Sequence, residues 1–138
     1  MTPSARPFRW PVRVYYEDTD AAGIVYYANY LRFLERARTE WLASMGLPLQ
    51  RLETEHNALF VVHRVEIDFC RPARLGDMLE VTVLPVERGR TRLVAVQDVE
   101  RGEEQVARAR VGLAWLDRSD WRPSRIPSAL LERMETLA

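Results

Sequence analysis

The sequence predicts an α+β fold in which one long helix packs against an antiparallel sheet of about five strands. Two observations carry this prediction. Between Tyr27 and Met45, apolar residues recur every three or four positions, as they do on one face of an α-helix, and Gly46 with Pro48 ends the pattern. Four segments with the composition or alternation of strands follow this helix, joined mostly by tight turns.

The elements are expected in a simple order along one domain of 138 residues. Residues 1–11 contain three of the eight prolines, so they should form an irregular arm, and residues 12–17 (VRVYYE) should form the first strand. A polar connection is expected at residues 53–58. Residues 127–138 should form a short amphipathic helix that begins near Pro127. The other four strands are predicted at residues 59–69, 78–87, 92–100 and 105–117.

The composition argues against several classes of protein. Twenty basic residues balance twenty acidic ones, whereas a nucleic-acid-binding surface usually needs a basic excess. Cys70 is the single cysteine, which excludes an internal disulfide and argues against a cysteine-based zinc site. No apolar run approaches the ~20 residues that span a bilayer, and the first residues do not resemble a signal peptide. We therefore expect a cytoplasmic protein with no transmembrane segment and no nucleic-acid partner.

Three carboxylates, Glu17, Asp18 and Asp20, lie within four residues just before the helix. Capping or solvation is the simplest interpretation, because helix N-termini carry partial positive charge. Asp20, however, stands seven residues before Tyr27, and the residues between them are mostly small or apolar. A carboxylate beside apolar residues and free helix amides is also how proteins make a nucleophile or a base, and such amides can bind a substrate oxygen. The residues alone do not separate Asp18 from Asp20.

Two stretches of the chain resemble a known family. Residues 8–42, which contain the pattern D-x-D-x-A-G-I-V, are similar to the start of the hotdog-fold acyl-CoA thioesterases. The type associated with the Tol–Pal gene cluster, often called YbgC-like, is the nearest in pattern, and the 4-hydroxybenzoyl-CoA thioesterases share it. Residues 71–81 (RPARLGDMLEV) resemble the second signature of the family. The resemblance extends from Phe8 to about Pro127.

The resemblance implies a hotdog fold, in which a curved antiparallel sheet of about five strands wraps a long central helix. It implies hydrolysis of acyl-CoA thioesters to a free acid and a thiol, without a cofactor, and it leaves acyl-carrier protein as a further thioester partner. Family members join their sheets edge to edge, so a homodimer or homotetramer is expected. The predicted elements also favour an oligomer, because one helix cannot cover both faces of such a sheet and a second copy would help to bury it. Peripheral association with a membrane is left open.

The resemblance also assigns the chemistry to particular positions. The second aspartate of the D-x-D pattern is Asp20, which would act either as nucleophile or as general base. The backbone N–H of Tyr27 would polarise the thioester carbonyl. Close relatives often carry histidine where this chain has Tyr27, although the 4-hydroxybenzoyl-CoA enzymes of the D-x-D type also have tyrosine there. This departure motivates the alternative of a non-catalytic acyl-CoA-binding or scaffolding protein. A hydratase has less support, because neither histidine lies on this helix.

The remaining candidate residues would bind substrate. Asn29 could orient a water or make a hydrogen bond at the helix start. Arg88, Arg90 and Arg92 cluster on one predicted hairpin, either as an exposed charged turn or as ligands for the phosphates of coenzyme A. His63 falls on the apolar face of its predicted strand, which favours a core histidine over a pocket-lining one. With His56 as the only other histidine and no further ligands at suitable spacing, no metal site is expected.

Overall fold

The computed structural model describes residues 6–137, with side chains as far as Met134. Residues 1–5 of the predicted arm and the last residue of the predicted C-terminal helix lie outside the described residues. In chain order the elements are β1 (Phe8–Arg13), α1 (Tyr30–Ser44), α2 (Leu49–His56), β2 (Ala58–Phe69), β3 (Met78–Arg88), β4 (Arg92–Arg101), β5 (Glu104–Asp117) and α3 (Ser128–Leu137). Single turns of 3-10 helix precede α1, at Tyr16–Asp18 and Tyr27–Asn29.

The described strands form one antiparallel sheet in the order β1-β3-β4-β5-β2. In β5, alternate residues are buried against the core, and Arg108 and Arg110 between them are exposed on the other face. We call the helix side of the sheet its inner face and the opposite side its outer face. The predicted α+β hotdog architecture is confirmed, and so are the four strands that follow the central helix.

α1 packs on the inner face because its apolar residues recur along one side of the helix. Phe33, Leu34, Ala37 and Trp41 are all almost completely buried. The helix ends where predicted, since Gly46 adopts a left-handed φ of +74° and the Leu47 N–H returns to the Leu42 carbonyl at 2.9 Å.

The first strand was predicted wrongly. It lies at Phe8–Arg13 and pairs with β3, so the irregular arm stops before Phe8. Pro11 is compatible with this strand because β1 is at the edge of the sheet, where one side of the backbone needs no partner. Tyr15 and Tyr16 have strand propensity but leave the sheet, because the Asp18 side chain captures the Tyr15 N–H at 2.8 Å and starts a helical turn.

α2 was missed, and its last residues were taken for part of a polar connection. It runs over Leu49–His56, directly after Pro48, and it buries Leu52. Asn57 ends it in a left-handed conformation with φ of 47°. Proline before a helix and asparagine after it are known boundary signals, but this segment is too short for periodicity to reveal it. None of the described helices is long and apolar enough to cross a bilayer.

Candidate active site

A buried aspartate fixes the segment that leads into α1. Asp18 is 3% exposed. Its Oδ2 accepts a hydrogen bond from the Tyr15 N–H at 2.8 Å, and its Oδ1 accepts one from the Asn29 Nδ2 amide at 2.9 Å. Its carbonyl oxygen accepts the Tyr26 N–H at 3.0 Å. We call these four residues the Asp18 clamp, because they hold together the two ends of the loop at residues 19–25.

Asp20 lies within that loop and is exposed in the single chain. Its carbonyl accepts the Gly23 N–H at 3.0 Å, which closes a tight turn, and Gly23 permits this with φ of +77°. Its Oδ1 accepts the Ala22 N–H at 2.9 Å. Within residues 6–137, Oδ2 has no hydrogen-bond donor and no cation pairs with this carboxylate. We call residues 20–23 the Asp20 turn.

The start of the central helix presents an unpaired backbone donor. Tyr27 is the first residue of the 3-10 turn that leads into α1. In the part of the chain that the structure describes, its N–H has no acceptor. Helix starts leave such N–H groups free and carry partial positive charge. Thr19 pairs with Val25 in an antiparallel bridge. The chain therefore reverses direction at the Asp20 turn and returns towards Tyr27.

An aromatic cavity of about 250 Å³ opens beside the helix start. Tyr27, Tyr30 and Phe69 line it, and the Phe69 ring centroid lies 6.3 Å from that of Tyr27 and 5.5 Å from that of Tyr30. Burial raises the pKa of the Tyr30 phenol, so it lines the cavity as a neutral group. Cys70 also lines this cavity and is exposed.

The second family signature supports the Asp20 turn from the other side. The Val25 N–H donates to the Ala73 carbonyl at 2.8 Å, and the Leu75 N–H donates to the Gly23 carbonyl at 3.3 Å. Asp77 stabilises this supporting loop. Its pKa is held below the ordinary value by the Arg74 N–H and by Arg101, whose Nη1 lies 2.7 Å from the carboxylate.

His63 is exposed, so the interpretation as a core histidine is wrong. The pairing of β2 with β5 shifts between Val62 and Arg64, which makes His63 the extra residue of a β-bulge. The imidazole instead lies over Gly112, where an added Cβ would come within 2.9 Å of Nε2. A bulge interrupts strict alternation, and for this reason sequence periodicity placed His63 on the wrong face.

A cationic cavity of about 470 Å³ lies on the outer face of the sheet around His63. Glu66 and Glu87 line it together with the cations, and they pair with Arg64 at 2.6 Å and with Arg110 at 2.9 Å. No ion pair to Arg88 or Arg92 is found among the described residues. The basic residues that line this cavity are His63, Arg64, Arg88, Arg92 and Arg110.

The structure brings His63, Arg88 and Arg92 together, because all three line the cationic cavity on the outer face. Tyr27 lines the aromatic cavity and Asn29 belongs to the Asp18 clamp, whereas Asp20 lies in the preceding turn and does not line that cavity. Arg90 does not line the cationic cavity; it lies in the turn, where its carbonyl accepts the Ile126 N–H at 2.7 Å. Asn29 is buried and bonded to Asp18, which is the helix-start role that the sequence had left open. A contact of Asn29 with substrate stays a prediction.

Sequence reasoning missed the buried role of Asp18. The chain offers a weak signal for it, because an aspartate three residues after Tyr15 fits a capping pattern. No cluster of three histidine, cysteine or acidic side chains that could hold a metal ion is found in residues 6–137.

Comparison with known proteins identifies the family of this chain. A model of the thioesterase-like superfamily matches residues 14–134. The acyl-CoA thioester hydrolase YbgC of Escherichia coli is 44% identical over 126 residues, which span 90% of this chain and 92% of that protein. The acyl-CoA thioesterase YbgC of Haemophilus influenzae is 41% identical over 120 residues, or 87% of this chain and 88% of that protein.

A solved structure gives the same answer for the fold. A thioesterase from Thermus thermophilus, complexed with coenzyme A and zinc, superposes with a TM-score of 0.81 at 35% identity. The match covers 94% of this chain and 92% of that one. The chain therefore belongs to the thioesterase-like superfamily, as a hotdog-fold thioesterase of the YbgC-like group.

Proposed function

We propose that the protein hydrolyses acyl-CoA thioesters to a free acid and coenzyme A, with Asp20 and the Tyr27 N–H performing the reaction. One observation carries this proposal: an exposed carboxylate without a cation partner and an unpaired helix-start amide flank the same rigid clamp. The likeness to proteins named acyl-CoA thioester hydrolases, over nine-tenths of the chain, supports the same reaction class.

Burial and hydrogen bonding favour Asp20 over Asp18 for the chemistry. Asp18 accepts a hydrogen bond on each carboxylate oxygen and is almost fully buried, so a substrate has little access to it. Asp20 uses one oxygen to stabilise its own turn and keeps the other free. The hydrogen bond from the Ala22 N–H to Oδ1 also restricts rotation of the Asp20 carboxylate. The free oxygen is therefore held in a defined direction.

The reaction needs a nucleophile and a stabilised oxyanion. On one route, an Asp20 oxygen attacks the thioester carbonyl carbon, the carbon–sulfur bond breaks, and coenzyme A leaves as thiolate. Water then cleaves the mixed anhydride, which releases the acid and restores Asp20. On the other route, Asp20 removes a proton from a water that attacks the same carbon directly. A hydroxamate formed on the Asp20 side chain in the presence of hydroxylamine and acyl-CoA would distinguish them, because only the mixed anhydride activates the Asp20 carboxyl group.

The Tyr27 peptide group would hold the carbonyl oxygen as it gains charge. A single preorganised donor of this kind is worth roughly 3–4 kcal/mol of transition-state stabilisation. The contribution comes from the backbone, so a tyrosine in place of the histidine of close relatives does not remove it. The Tyr27 phenol ring would instead shape the aromatic cavity, against Phe69.

The cationic cavity would bind the phosphates of coenzyme A. Arg88 and Arg92 lack carboxylate partners in the described residues, so their donors are available to an anion, and His63 adds a further polar group. Arg90 would join them from the turn. The sheet separates this cavity from Tyr27 within one subunit. A coenzyme A molecule that reaches both groups would therefore use arginines from a second subunit.

We extend the proposal to a homodimer joined through β2. This strand is an edge of the sheet, and the side chains of Val62, Val65 and Phe69 on its inner face are at least one-third exposed. A long edge strand with exposed apolar residues readily pairs with another strand. Light scattering on the purified protein measures the oligomer directly, and a monomer would contradict this part of the proposal.

Thiol release from a panel of acyl-CoAs tests the proposed activity. The wild-type protein should release thiol, Asp20→Asn should lose most of the rate, and Glu17→Gln, an exposed acid on the same segment, should keep it. Equal rates for wild type and Asp20→Asn would remove Asp20 from the chemistry. Tight binding without any turnover would instead establish the non-catalytic alternative, which the missing histidine motivates.

A further inference from the structure

One tryptophan of this chain is held mostly in solvent. Trp41 and Trp115 are each 2% exposed and Trp10 packs against the core, whereas Trp121 is 58% exposed. It follows β5, in the connection to α3, and it lines neither the aromatic nor the cationic cavity. A single exposed apolar side chain needs no explanation by itself. The backbone and the charges around Trp121 therefore decide whether this surface has a partner.

The backbone at Trp121 is strained. Its φ of 58° lies in the left-handed region, which glycine adopts freely and a bulky side chain does not. The Trp121 N–H donates to the Asp117 carbonyl at 2.8 Å, and the Asp117 Oδ1 accepts the Ser119 N–H at 2.8 Å, so a tight turn fixes this conformation. Strained residues persist where the surrounding structure determines them, and they cluster at functional positions. This turn therefore presents a large apolar ring to water on a backbone that glycine would adopt without strain.

The segment that carries Trp121 lies away from the edge proposed for the dimer. We call residues 117–126 the Trp121 segment. Leu116 of β5 pairs with Leu59 of β2 on one side and with Pro123 of this segment on the other. β5 and β2 therefore lie between Pro123 and a subunit bound at the free edge of β2. The apolar residues of β2 that the proposed dimer covers form a different surface.

Basic residues exceed acidic ones in this part of the molecule. The Ile126 N–H donates to the Arg90 carbonyl at 2.7 Å, which holds the Trp121 segment beside the hairpin between β3 and β4. Residues 88–92 and the Trp121 segment together contain six arginines and two aspartates. Both aspartates, Asp117 and Asp120, accept hydrogen bonds from backbone N–H groups of their own turn. The surface around Trp121 therefore has a local positive charge in a chain whose charges balance.

Three of these arginines are available to a partner. Arg122 and Arg125 form no ion pair within residues 6–137, and Arg118 lies 3.7 Å from Glu53 with 46% of its side chain exposed. None of the three lines the cationic cavity, so they are separate from the proposed site for coenzyme A. Their guanidinium groups flank an exposed indole, and this combination indicates a partner that is both anionic and apolar.

An anionic lipid surface fits these features better than a nucleic acid or a protein. A nucleic-acid surface usually needs a basic excess, which the whole chain lacks. A stable protein interface needs a broader packed surface than one ring. Tryptophan instead favours the boundary between lipid headgroups and acyl chains, where its ring is apolar and its N–H finds acceptors. Arginine offers paired donors to lipid phosphates.

We propose that the Trp121 segment binds the surface of an anionic lipid bilayer. Trp121 would insert its ring at the level of the headgroups, and Arg118, Arg122 and Arg125 would contact lipid phosphates. The turn already presents the ring to solvent, so binding needs no rearrangement of the backbone. The inference does not depend on the proposed thioesterase activity, because the Trp121 segment contains none of the residues assigned to that reaction.

Sedimentation and tryptophan fluorescence with lipid vesicles test it on the whole protein. Vesicles of phosphatidylcholine and phosphatidylglycerol in equal parts should bind the wild type and shift its emission to shorter wavelength, and brominated lipid should quench that emission. Trp121→Gly relieves the strained φ, so it should melt near the wild-type temperature while its affinity for vesicles falls by about 10- to 100-fold, the range for one buried apolar side chain. Tyr16→Ala removes an aromatic ring that is 82% exposed on another segment, and it should keep the wild-type affinity.

The arginines are tested by a separate variant. Arg122→Gln combined with Arg125→Gln should weaken binding to the anionic vesicles, and added salt should weaken binding of the wild type. Three outcomes would overturn the inference: no binding of the wild type to anionic vesicles, equal binding to pure phosphatidylcholine, or wild-type affinity in Trp121→Gly. If Trp121→Gly does not fold, quenching of the wild-type emission by brominated lipid decides, because the other three tryptophans are buried or packed against the core. Unquenched emission would then reject the inference.

Discussion

Asp18 and Asp20 are two residues apart, yet their surroundings differ in nearly every respect. Asp18 is buried, accepts hydrogen bonds on both oxygens and joins the segment before α1 to Asn29. Asp20 is exposed, bonds only to its own turn and has one oxygen free. The same side chain therefore serves two purposes, and its partners decide which one.

The difference shows how a rigid scaffold supports a reactive group. A carboxylate that is satisfied by hydrogen bonds stabilises the fold but has little left for a substrate, whereas a free carboxylate is reactive but contributes little to stability. The Asp18 clamp fixes the loop ends, and the Asp20 turn presents the reactive group from a defined position. Substitutions in the two regions should therefore affect different measurements.

The largest effect is expected at Asp20. Asp20→Asn keeps the shape and the bond from the Ala22 N–H but removes the nucleophile or base, so kcat/KM should fall by about 10² to 10⁴. Surface substitutions usually change the unfolding free energy by less than about 0.5 kcal/mol, and the same is expected here. Steady-state kinetics and urea unfolding on one preparation measure both quantities. A variant with normal activity and reduced stability would reverse the assignment of the two aspartates.

Removing the Asp18 carboxylate should chiefly reduce stability. Asp18→Ala leaves the partly buried Tyr15 N–H and the buried Asn29 amide without acceptors, so the unfolding free energy should fall by about 2–3 kcal/mol. Urea unfolding measures it, with Asp20→Ala as the matched control. In combination with Asn29→Ala the two losses should not add, because the residues share one hydrogen bond. Strict additivity would show that the Asp18 clamp does not act as a unit.

Gly23 tests whether the shape of the Asp20 turn matters for activity. Gly23→Ala introduces a side chain at φ of +77°, where space is open but the backbone conformation is unfavourable, so stability should fall by about 1 kcal/mol. Gly102→Ala is matched, with φ of +60° and open space, but it lies in the hairpin between β4 and β5. Both should lose similar stability, and only Gly23→Ala should also lose kcat/KM. Equal activity for the two variants would separate turn shape from catalysis.

The smallest effect concerns the loop that supports the Asp20 turn. The pKa of Asp77 is held below its ordinary value of 3.8 by the Arg74 N–H and Arg101. The ionised carboxylate therefore adds stability above that ordinary pKa, and the added stability disappears as the pH falls through the lower folded-state pKa. Asp77→Asn should melt below wild type at neutral pH, and the difference should shrink as the pH falls below 3.8. A difference in melting temperature that stays constant with pH would show that the ionised Asp77 carboxylate does not stabilise the fold.

Much of the fold was predictable because its signals are local. The periodic run ending at Gly46 gave α1, and alternation gave the four later strands. β1 was misplaced because prolines were taken as evidence against a strand, although Pro11 lies at an edge where a missing N–H is harmless. α2 was missed because eight residues are too few for periodicity.

The site was less predictable, because it depends on tertiary surroundings. Periodicity could not separate Asp18 from Asp20, since burial and hydrogen bonding distinguish them. Only the family resemblance selected Asp20. His63 was assigned to the wrong face because a bulge depends on the pairing between β2 and β5.

The most direct test of the central claim is a crystal structure of Asp20→Asn with an intact acyl-CoA bound. We expect the thioester carbonyl oxygen to accept a hydrogen bond from the Tyr27 N–H at about 2.7–3.1 Å. We also expect the side chain at position 20 to contact the thioester carbon. A thioester bound on the outer face of the sheet, with the Tyr27 N–H still unpaired, would contradict it.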